Sequence, residues 1–173
     1  IQAALTGHLV LSTLHTNDAP SAIVRLADMG IEPYLISSCM IGIMAQRLVR
    51  KICPHCKEAY HPTKIELDNI KLTLKDLPNG SLYKGAGCSH CLQSGYQGRI
   101  GVYEHMAVTS EVRKQILKSP ESTEIKRVAQ EQGMLTLRDH GKQLVRQGVT
   151  TIEEVWRVTR AEEGTNTEIT TRQ

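Results

Sequence analysis

Phenylalanine is absent from this chain of 173 residues, and one tryptophan and five tyrosines supply all of its aromatic side chains. Hydrophobic residues still make up 40% of the sequence, so a packed core is possible but must be largely aliphatic. No apolar run approaches the roughly 20 residues that span a bilayer, and residues 1–7 lack the basic and cleavage regions of a signal peptide. A net charge of +3 is too small to predict nucleic-acid binding by itself.

The sequence also lacks a helix N-cap at its start and a phosphate-binding loop. Residues 1–7, IQAALTG, are typical of the last turns of a helix that stops at Gly7, and no N-cap residue precedes them. We therefore expect the chain to begin in the middle of a domain. It contains no G-x-x-x-x-G-K-[ST] loop, so these residues alone cannot cradle a triphosphate.

The first half of the sequence alternates predicted strands and helices. Leu9 to Leu14 is mostly apolar on both faces. This pattern predicts a strand within a sheet whose two faces are both covered by other layers. Asn17 or Asp18 is expected to cap a following helix that ends at Gly30. The remaining expectations are a second helix from about Tyr34 to Met44, strands at 47–52 and 99–108, and helices only after Val108. Thr109 is expected to cap the first of these later helices, and Thr151 with Glu154 is expected to form a capping box at the start of the last.

Four of the five cysteines form two C-x-x-C pairs, Cys53 with Cys56 and Cys88 with Cys91. A gap of two residues lets one tight turn direct both sulfurs toward one point, and two such pairs supply the four thiolates that tetrahedral Zn²⁺ prefers. Four sulfurs leave no open coordination position. The sequence therefore predicts a structural, non-catalytic zinc ion that contributes on the order of 10 kcal/mol to folding.

Other uses of these residues stay open from the sequence. Disulfide bonds need an oxidising compartment, and no export signal is visible, whereas a redox C-x-x-C motif needs only one pair after a strand. His55 and His90 lie inside the two pairs. They either replace a cysteine as a metal ligand or remain exposed in the turns.

His15 and Thr16 directly follow the predicted buried strand and precede the predicted helix. In open α/β sheets, ligands bind beyond the carboxyl ends of the strands, and a helix N-terminus favours phosphate. These two residues therefore occupy a position suited to sensing a phosphate or a catalytic water. The alternative is that His15 only satisfies a backbone carbonyl in a loop.

Four segments together resemble a known family: TGHLVLSTLHTNDA, AQRLVRKICPHC, GCSHCLQSGYQGRIGVYE and GMLTLRDHGKQLVRQGVTTIEEVWRVT. In this order they resemble the ATPases of type II secretion and type IV pilus assembly, and most of all the general secretion pathway protein E branch. The resemblance runs from residue 1 to about residue 160. Combining the tetracysteine insert with the histidine-containing segment makes it specific.

The resemblance implies an α/β fold that forms the C-terminal part of a RecA-like P-loop ATPase core, with a zinc insert and a helical cap. In that family the Walker A, acidic and Walker B motifs precede the segment that matches Ile1. The expected divisions are the core with its His box at 1–52, the zinc insert at 53–98, a returning strand at 99–108, a helical subdomain at 109–160 and a disordered tail at 161–173.

The resemblance also implies an activity and partners. The full-length protein would be a hexamer that binds ATP and Mg²⁺ and hydrolyses ATP to drive pseudopilus or pilus assembly, while this chain alone would lack turnover. It would be cytoplasmic and peripheral at the inner membrane, held there by secretion or pilus platform proteins, and no nucleic acid is expected.

Site residues follow from the same resemblance. His15 matches a residue near the γ-phosphate and is the expected catalytic residue, and His8, Thr16 and Arg47 are expected near the nucleotide. Cys53, Cys56, Cys88 and Cys91 match the zinc ligands. Arg47 and Arg50 would either contact a neighbouring subunit or form a solvated basic edge.

An alternative is a zinc-stabilised binding module without enzymatic chemistry, such as a nucleic-acid or protein adaptor. Four basic residues near the two C-x-x-C pairs could bind phosphates, namely Lys51, Lys57, Lys84 and Arg99. Against this alternative, only Tyr60, Tyr83 and Tyr96 are available there for stacking on bases.

Overall fold

The computed structural model describes residues 1–160, in which three helices precede the first strands and four helices follow the last strand. The helices are α1 Gln2–Leu5, α2 Ala19–Asp28, α3 Pro33–Cys39, α4 Lys64–Asn69, α5 Ser110–Lys118, α6 Ser122–Glu131, α7 Leu137–Arg146 and α8 Ile152–Thr159. The strands are β1 Gly42–Ile52, β2 Lys57–Tyr60, β3 Leu82–Gly85 and β4 Tyr96–Ala107. The chain is thus a mixed α/β protein, as predicted, and the tail predicted at 161–173 lies outside the described residues.

The chain folds as two compact units. The first contains residues 1–46 and 103–140, and the second contains residues 47–102 and 141–160 of the described chain. Strand β1 pairs with β4, and β2 pairs with β3. The domain boundaries predicted from the sequence stay a prediction.

Helix α2 of the first unit begins and ends at residues that the sequence indicated. The Asp18 carboxylate accepts a hydrogen bond from the Ser21 N–H at 3.0 Å, which satisfies one of the free donors of the first turn. Ala22 and Ile23 are buried on its inner face. Gly30 follows the helix with a φ of +85°, a conformation that glycine adopts without strain.

The helical layer of the first unit contains α2, α3, α5 and α6. Helix α3 packs on α2 and α5, and α6 packs on α2 and α5. Thr109 caps α5 as predicted, because its hydroxyl accepts the Val112 N–H at 3.3 Å. Side chains from these helices and from β4 form the aliphatic core, including Ile23, Ile36, Met106, Ile116 and Ile125.

Two predictions for the first unit are wrong. The segment from Leu9 to Leu14 is irregular rather than a strand, and Leu9 and Leu11 are 78% and 88% exposed. A strand that is apolar on both faces needs neighbouring strands and covering layers, and no described residue provides a ladder for this one. The second helix ends at Cys39 rather than near Met44, because the chain enters β1 at Gly42.

The second unit has its own aliphatic cluster around a small sheet. Strands β2 and β3 are antiparallel, with Glu58 opposite Lys84 and Tyr60 opposite Leu82. Helices α4 and α8 pack on each other. The cluster is formed by Leu67, Ile70, Leu72, Leu77, Leu82, Val145, Ile152 and Val155, with Tyr60 and Trp156 against its edge.

Helix α8 shows half of the capping box expected at its start. The Thr151 hydroxyl accepts the Glu154 N–H at 3.4 Å, but the Glu154 carboxylate turns to arginine side chains instead of completing the box. Along residues 1–160, no helix has both the length and the apolar character that crossing a membrane requires.

Candidate functional site

The structure brings the sulfurs of Cys53, Cys56, Cys88 and Cys91 together, with all four atoms within 4.8 Å of one another. The sulfur of Cys53 lies 3.9 Å from that of Cys88, and the sulfur of Cys56 lies 3.9 Å from that of Cys91. Cys88 and Cys91, within one pair, are 3.7 Å apart. All four thiols are free of disulfide bonds.

These distances fit a tetrahedral zinc ion. With Zn–S bonds of about 2.3 Å, the edge of a regular tetrahedron of sulfurs is about 3.8 Å, and the sulfur pairs above lie at 3.7 to 3.9 Å. Disulfide bonds would bring sulfurs to about 2.05 Å. The group of candidate ligand atoms consists of four sulfurs and includes neither His55 nor His90. The arrangement is therefore compatible with a closed, four-sulfur zinc site.

Backbone N–H groups point at the sulfurs and favour their ionised form. Cys56 Sγ accepts from the Gly87 N–H at 3.3 Å. Cys91 Sγ accepts from the Cys88 and Gly95 N–H groups, each at 3.3 Å. A short 3-10 turn, Ser89–Cys91, holds the second pair in this geometry.

Glycine is required where the second cysteine pair meets strand β3. A Cβ on Gly95 would lie 2.6 Å from the carbonyl oxygen of Gly85, and Gly95 has a φ of +75°. Both the close approach and the left-handed backbone exclude larger residues. The Cys53 N–H donates to the Gly95 carbonyl at 2.9 Å, so this glycine also ties the two cysteine pairs together.

The pKa values of Cys56 and Cys91 shift in opposite directions in this small cluster of sulfurs. Burial raises the pKa of Cys91, but N–H groups of Cys88 and Gly95 and neighbouring thiols outweigh it and lower the pKa to about 6. Burial raises the pKa of Cys56 to about 12, despite the Gly87 N–H, with the other three thiols adding to the rise. A divalent cation at the centre would offset the repulsion among the thiolates.

The histidines inside the two pairs lie beside the sulfur cluster as exposed turn residues, which is one of the two predicted alternatives. The rings of His55 and His90 stack on each other with centroids 4.0 Å apart and planes at 19°. Their contact joins the tips of the two turns. The stacking was not foreseen, since sequence spacing gives no relation between separate turns.

His15 is exposed, at the end of the irregular segment that leads into α2. The hydroxyl of Thr16 donates to the Asp18 carbonyl at 3.1 Å and so belongs to the start of the helix. His8, also exposed, has its Nδ1 3.0 Å from the Thr6 hydroxyl and 3.2 Å from the Ala3 carbonyl oxygen. Arg47 lies half-buried on strand β1, in the other unit.

Sequence reasoning missed Glu104, a fully buried carboxylate on strand β4. Its Oε1 accepts the Ala19 N–H at 2.7 Å, and its Oε2 accepts the Leu137 N–H at 3.3 Å. Burial raises the pKa of Glu104, although these N–H groups and Lys126 act in the opposite direction. Strand alternation places Glu104 on the face of Val102 and Met106, so a charged residue in an apolar register was the available signal.

The second unit has a buried carboxylate of its own, Glu154, which is 0% exposed. It accepts hydrogen bonds from the Arg50 guanidinium at 2.8 Å and the Arg157 guanidinium at 2.9 Å. The Arg50 guanidinium also lies over the Tyr96 ring at 4.0 Å. Arg50 is thus held within its own unit by Glu154 and Tyr96, while its side chain stays 46% exposed, so a contact with a neighbouring subunit stays a prediction.

Two of the basic residues considered for the binding-module alternative face tyrosines instead of solvent alone. The ammonium of Lys57 lies 4.3 Å from the Tyr83 ring centre, and that of Lys84 lies 5.6 Å from the Tyr60 ring centre. Lys84 also pairs with Glu58 at 3.4 Å. These contacts occupy groups that a stacking and phosphate-binding surface would need.

Comparison with known proteins gives matches along nearly the whole chain. A family model described as "Type II/IV secretion system protein" matches residues 1–157. Type II secretion system protein E of Pseudomonas aeruginosa is 49% identical over 162 residues, which cover 94% of this chain and 32% of that protein. Type IV pilus assembly ATPase PilB of Thermus thermophilus is 47% identical over 154 residues, covering 89% of this chain and 17% of that protein.

A third relative matches with similar identity and coverage. Type II secretion system ATPase E of Vibrio cholerae is 44% identical over 163 residues, which cover 92% of this chain and 31% of that protein. The chain therefore spans between 17% and 32% of the length of these three relatives.

Proposed function

We propose a function from one premise: this chain belongs to the type II/IV secretion system protein family, as its sequence resemblance predicted. The relatives are named as secretion and pilus assembly proteins, several of them as ATPases, which supports a role in type II secretion or pilus assembly. We propose that the chain is the C-terminal portion of a hexameric ATPase that drives pseudopilus or pilus assembly. The observation that carries this proposal is identity of 41–49% over about nine-tenths of the chain.

The proposal divides the work between this chain and the rest of the protein. A phosphate-binding loop, ATP and Mg²⁺ belong to a RecA-like core of which residues 1–52 form the end. Platform proteins of the inner membrane would hold the assembled protein at the cytoplasmic face. On this proposal the chain by itself shows no ATP turnover, because its 173 residues contain no G-x-x-x-x-G-K-[ST] loop.

The exposed segment of residues 8–14 would complete the sheet of that core. Its apolar side chains face solvent on both sides of the backbone, with Leu9, Val10 and Leu11 each about half or more exposed. Such a segment gains stability when neighbouring strands pair with it and layers cover both faces. We propose that the rest of the full-length protein provides those strands, which would turn this segment into the buried strand that the sequence predicted.

His15 would then stand at the carboxyl end of that strand and face the γ-phosphate. An imidazole N–H donates a hydrogen bond to a terminal phosphoryl oxygen and loses that partner when the phosphate leaves. His8 and Thr16 would lie near the same nucleotide. The loss of one hydrogen bond at His15 would release helix α2, which begins four residues later at Ala19.

The four cysteines would hold the proposed zinc ion, which supplies structural cross-linking and no Lewis-acid chemistry, since four sulfurs fill its coordination sphere. Cys53 and Cys56 precede β2, whereas Cys88 and Cys91 follow β3. The sulfurs therefore join the two ends of the β2–β3 region. Ordering of this region is the proposed role of the metal.

Substitution of His15 by alanine in the full-length protein tests the proposed role. We expect kcat for ATP hydrolysis to fall roughly 100-fold, the usual cost of removing one preorganised donor from a transition state, while zinc content stays at one ion per chain. His61→Ala is a matched control, because His61 is an exposed histidine of the second unit. Unchanged turnover in the His15 variant would refute its proposed role.

A further inference from the structure

The residues that follow His15 are tied to three other elements of the first unit. Glu104 of β4 accepts the Ala19 N–H at 2.7 Å, and this N–H belongs to the free donors at the start of helix α2. The other oxygen of the same carboxylate accepts the Leu137 N–H at the start of α7. One buried carboxylate thus joins the N-termini of two helices that are far apart in sequence.

A second tie reaches helix α6. Asp18 caps α2 through its Oδ1, which accepts the Ser21 N–H at 3.0 Å. Its Oδ2 lies 3.4 Å from the ammonium of Lys126, and both side chains are largely buried, with 13% and 23% exposed. A partly buried pair is screened less by solvent than a surface pair. Asp18 therefore connects the cap of α2 to α6.

A further hydrogen bond links the start of α2 to the residue that follows His15. The Thr16 hydroxyl donates to the Asp18 carbonyl at 3.1 Å, which fixes the turn between His15 and the first residue of α2. The irregular segment runs from residue 8 to Thr16, and residues 17 and 18 form a bend that leads into α2. His15 thus lies one residue before the first side chain of the hydrogen-bonded turn.

We infer that Glu104 and Lys126 are positioning residues, which hold the turn of residues 16–19 against α6 and α7 and thereby set where His15 is directed. This inference rests on the proposed function of His15. Breaking the contacts at Glu104 would leave two buried N–H groups without acceptors, which is costly. The starts of α2 and α7 must therefore move together with β4 when the phosphate contact at His15 changes.

Glu104→Gln in the full-length protein tests the inference through kinetics. The amide has one acceptor oxygen where the carboxylate has two, so the Ala19 or the Leu137 N–H loses its partner. We expect kcat to fall roughly tenfold from misplacement of His15, with KM for ATP changed by less than about twofold. Lys126→Met should lower kcat in the same direction by about threefold, as expected for one partly buried ion pair.

A double-mutant cycle with His15→Ala separates positioning from general destabilisation. If Glu104 acts through His15, Glu104→Gln lowers kcat by less than about twofold when His15 is already alanine. An equal loss of kcat in both backgrounds overturns the inference and leaves the proposed function intact. A His15→Ala variant with unchanged kcat instead refutes the proposed role of His15 and, with it, the inference.

Amide hydrogen exchange in the same full-length variants gives a readout besides activity. Glu104→Gln should speed exchange at Ala19 and Leu137, the two N–H donors, while exchange within α5 stays unchanged. Faster exchange throughout the first unit would mean a general loss of packing and would overturn the inference. If Glu104→Gln does not fold, the same comparison is made with Lys126→Met.

Arg127→Met is the matched control for Lys126→Met. Arg127 is the next residue on α6, but its ion pairs are with Glu124 and Glu131 on the same helix, at 3.1 and 2.6 Å. It touches none of the residues that hold the turn after His15, so kcat should stay within about 1.5-fold of wild type. A loss of kcat as large as in Lys126→Met would overturn the role of Lys126.

Discussion

The cysteine cluster of the second unit and the segment of residues 8–15 in the first are equally conspicuous in the sequence, yet only the cluster is assembled. The four sulfurs lie within 4.8 Å of one another, and those of Cys56 and Cys91 accept backbone N–H groups. The other segment is exposed and irregular although it is mostly apolar. Both were predicted to be ordered, and the difference lies in where the partners of each come from.

The cysteine pairs depend on geometry that short stretches of chain supply. A two-residue gap, a tight turn and glycine at Gly95 bring each pair of sulfurs together, and the ladder between β2 and β3 brings the pairs to each other. A buried strand depends instead on neighbours that are distant in the chain. Sequence patterns therefore predict that a strand is suited to burial, but not that its neighbours are present.

Removal of the proposed zinc ion should have the largest effect, and this effect should be confined to the region around the cysteine cluster. Zinc binding contributes on the order of 10 kcal/mol to such sites, so we expect a chelator or Cys91→Ser to disorder the region from Cys53 to Gly98. The measurements are zinc content by mass spectrometry and amide exchange along the chain. Residues 19–39 should keep their exchange protection, since α2 and α3 belong to the other unit.

Cys39→Ser is the matched control for the metal experiment. Cys39 is a free, half-buried cysteine outside the cluster, so this variant should retain one zinc ion per chain. If chelation left the exchange of residues 53–98 unchanged, the cluster would be ordered by packing alone. The proposed difference between residues 53–98, ordered by a metal, and residues 8–15, which lack partners for a strand among the described residues, would then be wrong.

The Glu154 ion pairs should have an intermediate effect, which appears as a pH dependence of the stability of the second unit. Burial by itself raises its pKa, but hydrogen bonds from Arg157 and Arg50 outweigh burial and lower the pKa from 4.5 to about 2. A carboxyl whose pKa is lowered by folding stabilises the protein above its unfolded value and loses that contribution as pH falls toward the folded value. The stability of the second unit should therefore drop between about pH 5 and pH 2.

The variant Glu154→Gln should remove most of that pH dependence. We expect it to cost about 2 kcal/mol at pH 7, a value reduced for solvent screening because both arginines are about half exposed. Urea unfolding at pH 7 and at pH 3 measures both effects. Glu153→Gln, one residue earlier and exposed, should stay within about 0.5 kcal/mol of wild type, and an equal cost in both variants would contradict the ion-pair account.

What the sequence could predict follows the same division between local and distant partners. The stop at Gly30 and the cap at Thr109 depend on residues within one turn and were predicted correctly, and the cap of α2 is Asp18, one of the two residues predicted for it. The family and the mixed α/β class were also predicted correctly. The predictions for His15 and its neighbours stay predictions, because they concern a nucleotide held by other parts of the protein.

The failures concern polar groups whose partners lie far along the chain. The Glu154 carboxylate was expected to close a local capping box, but its partner Arg50 is 104 residues away. Glu104 was not singled out at all, since its partners at Ala19 and Leu137 are 85 and 33 residues away. Spacing rules describe neighbours on one helix or strand, so such contacts cannot be read from them.

Leu11→Ala should have the smallest effect on the 173-residue chain, and Leu82→Ala provides the matched control. Leu11 is 88% exposed whereas Leu82 is 1% exposed in the cluster of the second unit. We expect a change within about 0.5 kcal/mol for Leu11 and a cost of about 3 kcal/mol for Leu82, both from urea unfolding.

The same two substitutions in the full-length protein test whether residues 8–14 form a buried strand there. If the rest of the protein pairs with residues 8–14, Leu11→Ala there should cost about 3 kcal/mol, as Leu82→Ala does in both contexts. A full-length cost that stays within about 0.5 kcal/mol would mean that this segment is not a buried strand in the complete protein. His15 would then have no fixed strand end from which to reach a phosphate, whatever the state of the cysteine cluster.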